Sequence, residues 1–195
     1  VMAEATALLR EVAPELGIAL ADNHKSFKQY PYIRDMCAGI FGPIDPADIA
    51  DRRARGLTTT YYVCCASGFP NTYTSSAPAE AVYLSWYAAA GDYDGFLRWA
   101  YNSWPEDPIR DSRFGTWTAG DTYIVYPEGR SSIRFERLVE GIQDWEKIRQ
   151  LKAEAAGDGE RLQRIETLLE PFRSPIAFEG WEQALRETRA ALDTL

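Results

Sequence analysis

The residues that most clearly suggest chemistry lie in an aromatic and polar stretch in the middle of the chain. Twelve of the 25 aromatic residues fall between residues 83 and 126. Helix packing accounts for the first of these rings, whereas Trp99, Trp104, Phe114 and Trp117 surround a polar loop that contains Asn102. Ring faces beside hydrogen-bonding side chains suit a sugar, because pyranose C–H faces stack on aromatic planes. The alternative is that these rings pack the last helices onto a sheet.

A polar cluster directly after the apolar run at residues 17–21 is a second candidate site. Asp22 is a candidate catalytic carboxylate, or else a residue that caps its loop or positions His24. His24 is a candidate proton shuttle, or else a solvated loop histidine. Asn23 between them is a candidate hydrogen-bonding partner for a substrate.

Further candidates lie on a β-branched, aromatic run and near a later glycine turn. Strand side chains alternate, so Tyr61 or Tyr62 must face the interior of a closed sheet, where a tyrosine binds a hydroxyl or acetamido group or packs in the core. Asp121 follows Gly120 and is interpreted as a buried turn anchor rather than a base. Arg134 and Glu136 are expected to brace the start of a helix.

Composition excludes several classes of function. The net charge is −8, with 21 Lys plus Arg against 29 Asp plus Glu, so a phosphate-tracking nucleic-acid surface is not expected. The longest apolar window, at residues 77–90, contains Glu80 and is too short to span a membrane. With three cysteines, no CxxC motif and one histidine, neither a disulfide framework, a metal site nor an organic cofactor is implied.

The elements that must position these residues alternate between helix and strand. Apolar periodicity, proline and glycine place the breaks between them. Helices are predicted at residues 2–16, 46–55, 78–90, 132–154, 161–169 and 181–195, and strands at residues 17–21, 36–41, 57–65, 95–101 and 121–126. The first four strands with their helices predict an α/β fold with a parallel sheet, either half of a (β/α)8 barrel or a small open doubly wound sheet. A GxGxxG or Walker motif is absent, so nucleotide binding has no support.

Several motifs in sequence order resemble one family. They are DGFLRWAYNSW at residues 94–104, GDTYIVYP at 120–127, SSIRFERL at 131–138, EGIQDWE at 140–146 and TYYVC at 60–64. Together they resemble the glycoside hydrolase family 123 catalytic domain over roughly residues 17–151. The resemblance implies a β-N-acetylgalactosaminidase-like enzyme on a (β/α)8 barrel. It also implies substrate-assisted retention, in which the 2-acetamido oxygen attacks the anomeric carbon while one carboxylate orients the acetamido group and its neighbour is the acid/base.

The chain departs from that family pattern at the catalytic carboxylates. The family carries them as consecutive Asp-Glu at the end of a middle strand, and this sequence contains no Asp-Glu dipeptide. We therefore expect the C-terminal half of a TIM-type barrel, strands five to eight plus C-terminal helices, with the pair lying upstream of residue 1. The expected division is a half barrel at residues 1–154 and a helical extension at 155–195. A non-catalytic carbohydrate-binding or scaffold protein of the same fold is the alternative.

These expectations assign no catalytic residue within the chain. The predicted substrate-binding residues are Asn23, Tyr61, Trp99, Asn102 and Trp104, the expected partner is a carbohydrate, and neither a membrane nor a nucleic acid is expected. A half barrel would leave open sheet edges and an exposed sheet interior. We therefore expect self-association, pairing with a missing half barrel, or collapse of the open sheet.

Overall fold

The computed structural model describes residues 2–65 and 67–195. The elements alternate as the sequence predicts for the first half of the chain, and helices follow. In chain order they are α1 (Met2–Val12), β1 (Ile18–Ala21), β2 (Ile33–Gly39), α2 (Pro46–Ala54), β3 (Thr58–Val63), α3 (Pro78–Ala90), β4 (Gly95–Arg98), α4 (Ile133–Glu154), α5 (Gly159–Leu169) and α6 (Trp181–Leu192). Short 3₁₀ turns lie at Ser26–Lys28, Pro127–Gly129 and Glu170–Arg173.

The four strands form one parallel sheet whose spatial order is the chain order, β1-β2-β3-β4. A doubly wound sheet reverses its strand order at a switch point, and this sheet does not. Right-handed crossovers in one direction place the connecting helices on the same face of the sheet. The fold is therefore an α/β fold with a four-stranded parallel sheet and helices, consistent with a partial TIM-type barrel.

The register between strands defines two faces of the sheet. Tyr61 is aligned with Phe96 on β4, and its hydroxyl donates to the Leu84 carbonyl of α3, so this face is covered by helix. The opposite face, here called the open face, carries Tyr62 and Leu97. Leu97 is 44% exposed. The alternation predicted for the strand is therefore present, with the helices on one side only.

Helix α3 is the centre of the core. All but its first two residues are buried, because the sheet covers one side and α4 the other. Gly141 of α4 permits this approach: a Cβ there would lie 2.9 Å from the Val82 carbonyl oxygen of α3. One turn further along α4, Asp144 accepts from the Trp86 indole of α3 and from Arg189 of α6. The C-terminal helices thus join the same hydrophobic core as the sheet.

One predicted strand is wrong. Residues 121–126 form an irregular segment with a single antiparallel bridge, between Asn102 and Tyr123, instead of a fifth strand. Side chains satisfy backbone groups of the segment as well: Ser132 donates to the Ile124 carbonyl, and Arg134 donates to the Tyr123 carbonyl. Because side chains supply these partners, the segment needs no neighbouring strand.

Most other boundaries differ by a few residues, for local reasons. Helix α1 ends at Val12 rather than at residue 16, because Pro14 disfavours helical backbone at the residue before it. Strand β4 ends at Arg98 rather than at residue 101, where Arg98 turns onto Asp121. Among the described residues, none of the helices combines the length and the apolar character that crossing a bilayer requires.

Candidate functional site

A cavity of about 280 Å³ opens at the carboxyl ends of β1, β2 and β3. In parallel α/β folds this edge of the sheet holds the binding site, because the loops there meet around the ends of the strands. The described residues that line it are Asn23, Gly39, Ile40, Phe41, Gly42, Tyr62, Cys64 and Ser67. The wall therefore combines one side-chain amide, two hydroxyls, a thiol and two aromatic rings.

Asn23 is held in the cavity wall by β2. Its side-chain Oδ1 accepts the backbone N–H of Gly39 at 2.9 Å, and the Tyr62 hydroxyl lies 3.5 Å from the same oxygen. A Cβ at position 39 would lie 2.4 Å from that oxygen, so only glycine allows this contact. The amide of Asn23 and the hydroxyl of Tyr62 are thus adjacent polar groups on one wall. The structure thus places Asn23 in the cavity wall, and its role in substrate binding stays a prediction.

Tyr61 does not face the cavity, and its selection over Tyr62 is corrected here. Its ring is completely buried against Tyr87, Tyr93 and Phe96. Burial and the neighbouring tyrosines raise the pKa of its hydroxyl well above the ordinary value, so that it stays a neutral donor to α3. The physical reason is strand alternation: Tyr61 lies on the face of the sheet that packs against α3, and the next residue, Tyr62, therefore lies on the face that lines the cavity.

Asp22 lies beside the cavity as a loop anchor. Its carboxylate accepts the Ser26 hydroxyl and the backbone N–H of His24, and its own N–H donates to the Cys37 carbonyl of β2. Partial burial by itself would raise the pKa of Asp22, but these hydrogen bonds outweigh burial and lower the pKa. A carboxylate held ionised in this way is a poor proton donor at neutral pH. His24 is exposed on the same loop.

Trp99 and Trp117 form an aromatic pair next to the end of β4. Their ring centroids are 4.9 Å apart, and the rings are 38% and 41% exposed. The Trp99 indole N–H donates to Asp121 Oδ1 at 3.2 Å. Asp121 is fully buried, as the interpretation of it as a turn anchor requires.

The last two predicted binding residues lie on the loop that follows β4. The Trp104 indole donates to the Val125 carbonyl at 2.7 Å, while part of its ring stays exposed. Asn102 is exposed at the bridge to Tyr123. Neither residue is among the described residues that line the cavity.

Phe41 and Ser67 line the cavity, although the sequence predicts neither as a site residue. The sequence predicts Phe41 inside a strand, but the strand ends at Gly39, and the Phe41 side chain is 60% exposed. The glycines at positions 39 and 42 that enclose it are the signal for a turn rather than a strand. Ser67 is buried beside Asn71, whose side-chain amide donates to its carbonyl.

The thiols and carboxylates of the described residues are not gathered in one place. Among residues 2–65 and 67–195 there is no group of three histidine, cysteine or acidic side chains with suitable placement for a metal ion. Cys64 lines the cavity, Cys65 is exposed, and burial raises the pKa of the Cys37 thiol to about 11. A second cavity, of about 390 Å³, lies between β4 and α4 on the helix-covered side and is lined mainly by apolar residues.

This chain resembles known proteins in sequence and in fold. The family described as glycoside hydrolase 123, catalytic domain, matches residues 1–151. One similar solved structure is a family 123 glycoside hydrolase from Clostridium perfringens, reported for glycolipid glycan hydrolysis. It has 24% identity and a TM-score of 0.76, and the match covers 92% of this chain and 35% of that one. The chain thus spans about a third of that structure's length. No curated protein gives a significant match.

Proposed function

This chain belongs to the glycoside hydrolase 123 catalytic-domain family, and from that premise we propose that it forms the sugar-binding wall of a glycoside hydrolase. The proposed substrate is a β-linked N-acetylhexosamine of the N-acetylgalactosamine type. The observation that carries the proposal is the cavity at the carboxyl ends of β1 to β3, where Asn23, Tyr62 and Phe41 meet.

The size and lining of the cavity suit one sugar ring. At about 280 Å³ it lies just below the range of roughly 300–1,000 Å³ that is typical of ligand pockets. The exposed ring of Phe41 offers an apolar face, while the Asn23 amide and the Tyr62 hydroxyl offer hydrogen bonds to ring hydroxyls or to the acetamido group. Trp99 lies beyond the end of β4, and Asn102 and Trp104 are proposed to contact more distant parts of the substrate.

The proposed architecture is the second half of a closed barrel. In this proposal β1 to β4 are strands five to eight, residues 1–154 make up the half barrel, and the helices of residues 155–195 pack on it. The chain-order sheet and the short coverage of the similar structure support this arrangement. The remaining strands would come from sequence outside these 195 residues.

The proposed reaction is substrate-assisted retention. The acetamido carbonyl oxygen bonds to the anomeric carbon as the glycosidic bond breaks, and an acid donates its proton to the departing oxygen. Water then opens the cyclic oxazolinium intermediate, and the same group takes up a proton from that water. Among the described lining residues none is acidic, so the orienting carboxylate and the acid/base are proposed to lie outside this chain as an Asp-Glu pair.

The same absence of acidic residues from the described lining favours a second candidate, a non-catalytic carbohydrate-binding protein. The sequence also contains no Asp-Glu dipeptide. Both candidates bind a sugar, and only the first breaks a glycosidic bond. The two are therefore separated by turnover rather than by affinity.

Calorimetric titration of the 195-residue chain tests sugar binding. N-acetylgalactosamine is expected to bind more tightly than galactose, because galactose lacks the acetamido group. Asn23→Ala is expected to weaken N-acetylgalactosamine binding by about tenfold, since a hydrogen bond to a neutral ligand contributes roughly 0.5–1.5 kcal/mol. The matched control is Gln163→Ala on the exposed face of α5. If the chain binds neither sugar, the proposed function is wrong.

Turnover separates the two candidates. The intact parent protein is assayed for release of nitrophenol from an aryl 2-acetamido-2-deoxy-β-galactoside. Release that a thiazoline analogue of the cyclic intermediate inhibits supports the hydrolase. Sugar binding without release supports the carbohydrate-binding alternative.

A further inference from the structure

Asp121 is a buried carboxylate that joins two consecutive residues at the end of β4. It is fully buried, and the Arg98 side chain paired with it is 5% exposed. Asp121 Oδ1 accepts Arg98 Nη2 at 2.8 Å and the Trp99 indole N–H at 3.2 Å. Arg98 also donates to the Asp121 backbone carbonyl. One oxygen atom therefore ties the last residue of β4 to the first residue after it.

The position of Asp121 is itself fixed from the other side. Gly120 has φ +78°, and a Cβ there would lie 2.7 Å from both Arg134 and Thr74. Arg134 of α4 donates to the Gly120 carbonyl, and the Asp121 N–H donates to the Thr118 carbonyl. Backbone contacts on both sides thus hold the carboxylate independently of Trp99.

The contact to Asp121 determines how the Trp99 ring is turned. An indole rotates about two side-chain torsions, and burial of only part of its surface leaves both incompletely defined. A hydrogen bond from the indole N–H to a fixed acceptor defines the second torsion, so one edge of the ring faces Asp121. With that edge fixed, the ring lies 4.9 Å from Trp117 at an interplanar angle of 50°. Both rings keep exposed surface in this arrangement.

Hydrogen bonds connect the cavity to the loop of the buried carboxylate. The Tyr73 hydroxyl donates at 3.0 Å to the carbonyl of Cys64, which lines the cavity. The N–H of the next residue, Thr74, donates at 3.0 Å to the Ala119 carbonyl, two residues before Asp121. These contacts join the cavity wall to the turn whose carboxylate holds the aromatic pair.

We propose that Asp121 is a positioning residue for sugar binding, which orients the Trp99 indole so that Trp99 and Trp117 form a fixed aromatic platform beside the cavity. The ligand class is a pyranoside whose C–H face stacks on the platform. The proposal rests on the proposed function and adds a specific role to it. Arg98 keeps the buried carboxylate compensated, because an unpaired buried charge is strongly destabilising.

The experiment must remove the acceptor without leaving a buried charge. Two double variants do so: Arg98→Met with Asp121→Asn, and Arg98→Met with Asp121→Leu. Both delete the ion pair and conserve side-chain size, but only asparagine keeps an oxygen that can accept the indole N–H. If the leucine variant does not fold, Arg98→Met with Asp121→Ala replaces it, since alanine deletes the acceptor without an added apolar branch. Asp111→Asn, in the same loop and paired with Arg113, is the matched control.

Two readouts separate the positioning of the ring from sugar binding. The exciton couplet of the paired indoles in circular dichroism, assigned by its loss in Trp117→Phe, reports the orientation of Trp99 without any ligand. Titration with N-acetylgalactosamine measures how much the platform contributes to sugar affinity. The leucine variant is expected to lose the couplet and to bind the sugar about tenfold more weakly, because an aromatic contact contributes roughly 0.5–1.5 kcal/mol. The asparagine variant is expected to keep the couplet and the sugar affinity, and Asp111→Asn is expected to change neither.

The outcomes overturn different statements. If the leucine variant keeps the couplet, Asp121 does not orient Trp99 and the proposal is wrong. If it loses the couplet but binds the sugar as the wild type does, the platform has no role in sugar binding and the proposal is also wrong. If the wild-type chain binds no sugar, the proposed function fails together with the role of the platform, while the couplet still decides whether Asp121 orients the ring.

Discussion

At the residue scale, the cavity depends on small groups that let polar side chains approach one another. Gly39 is the clearest case, because the Asn23 side chain occupies the space where a Cβ would be. The contact brings the amide of β1's loop onto the backbone of β2 and leaves it next to Tyr62. The position of the Asn23 amide therefore depends on the absence of a side chain at position 39.

Gly39→Ala is expected to displace Asn23 and to weaken N-acetylgalactosamine binding by about tenfold, the equivalent of about 1.4 kcal/mol. The loss should appear in calorimetric titration while far-ultraviolet circular dichroism is unchanged. Gly68→Ala is the matched control, because a Cβ at position 68 meets nothing within 4 Å. Equal affinities for the two alanine variants would contradict the role given to the Asn23–Gly39 contact.

The three thiols are expected to differ strongly in their reaction with an alkylating reagent. Cys37 is 4% exposed, and burial raises its pKa to about 11, so at pH 8 only about one molecule in a thousand carries the reactive thiolate. Its labelling should increase as the pH rises toward 11. Cys65 is exposed and should be labelled first. Peptide mapping by mass spectrometry measures the order, and labelling of Cys37 as fast as Cys65 would show that β2 is not buried in solution.

At the scale of elements, α3 is held between the sheet and the C-terminal helices by directional bonds as well as by apolar packing. Asp144 of α4 accepts the Trp86 indole of α3 at 2.8 Å and also pairs with Arg189 of α6. One carboxylate therefore connects three helices. Trp86 is completely buried, so its N–H has no access to water as a substitute acceptor.

Asp144→Ala is expected to lower the free energy of unfolding by about 2–3 kcal/mol, because it leaves a buried indole N–H and a partly buried guanidinium without their acceptor. Urea unfolding measures the change. Asp193→Ala is the matched control, because it removes an ion pair between two exposed side chains, Lys147 of α4 and Asp193 directly after α6. This loss should lower the free energy of unfolding by less than about 1 kcal/mol. Similar losses in the two variants would mean that Asp144 acts only as a surface charge.

At the scale of the whole molecule, the sheet has helices on one face and leaves the other partly exposed. Strands β1 and β4 each pair on one side only, so their outer backbone groups are open edges among the described strands. Leu97 on the open face and the neighbouring Tyr62 add apolar surface. An exposed parallel sheet is normally covered by another layer.

The isolated 195-residue chain is therefore expected to self-associate through its open face. Sedimentation velocity over a range of concentrations measures the association. Leu97→Glu should weaken it by at least about tenfold, because a charge must be desolvated in the contact. Ile176→Glu, at an exposed position in the segment before α6, should leave it unchanged. A monomer at all concentrations, with or without the Leu97 substitution, would contradict this expectation.

Local signals in the sequence were sufficient for much of the element order. Pro46 and Pro78 mark the starts of α2 and α3, and Asp45 caps α2 with a hydrogen bond to the Ala47 N–H, because caps and prolines act within one turn. The predicted strand at residues 121–126 failed because β-branched and aromatic residues also fill irregular segments. Arg134, 11 residues further along the chain, donates the hydrogen bond that satisfies the Tyr123 carbonyl.

The sequence by itself determined the alternation of helices and strands, the glycine and proline breaks, and the motifs of the family, because each depends on residues near one another in the chain. Only the tertiary structure decided that Tyr62 rather than Tyr61 faces the cavity, since alternation makes the two equivalent until α3 covers one face. It also decided that Asp121 holds Trp99 across 22 positions of the chain. Such a contact depends on how the loop folds back, which no local pattern of residue types specifies.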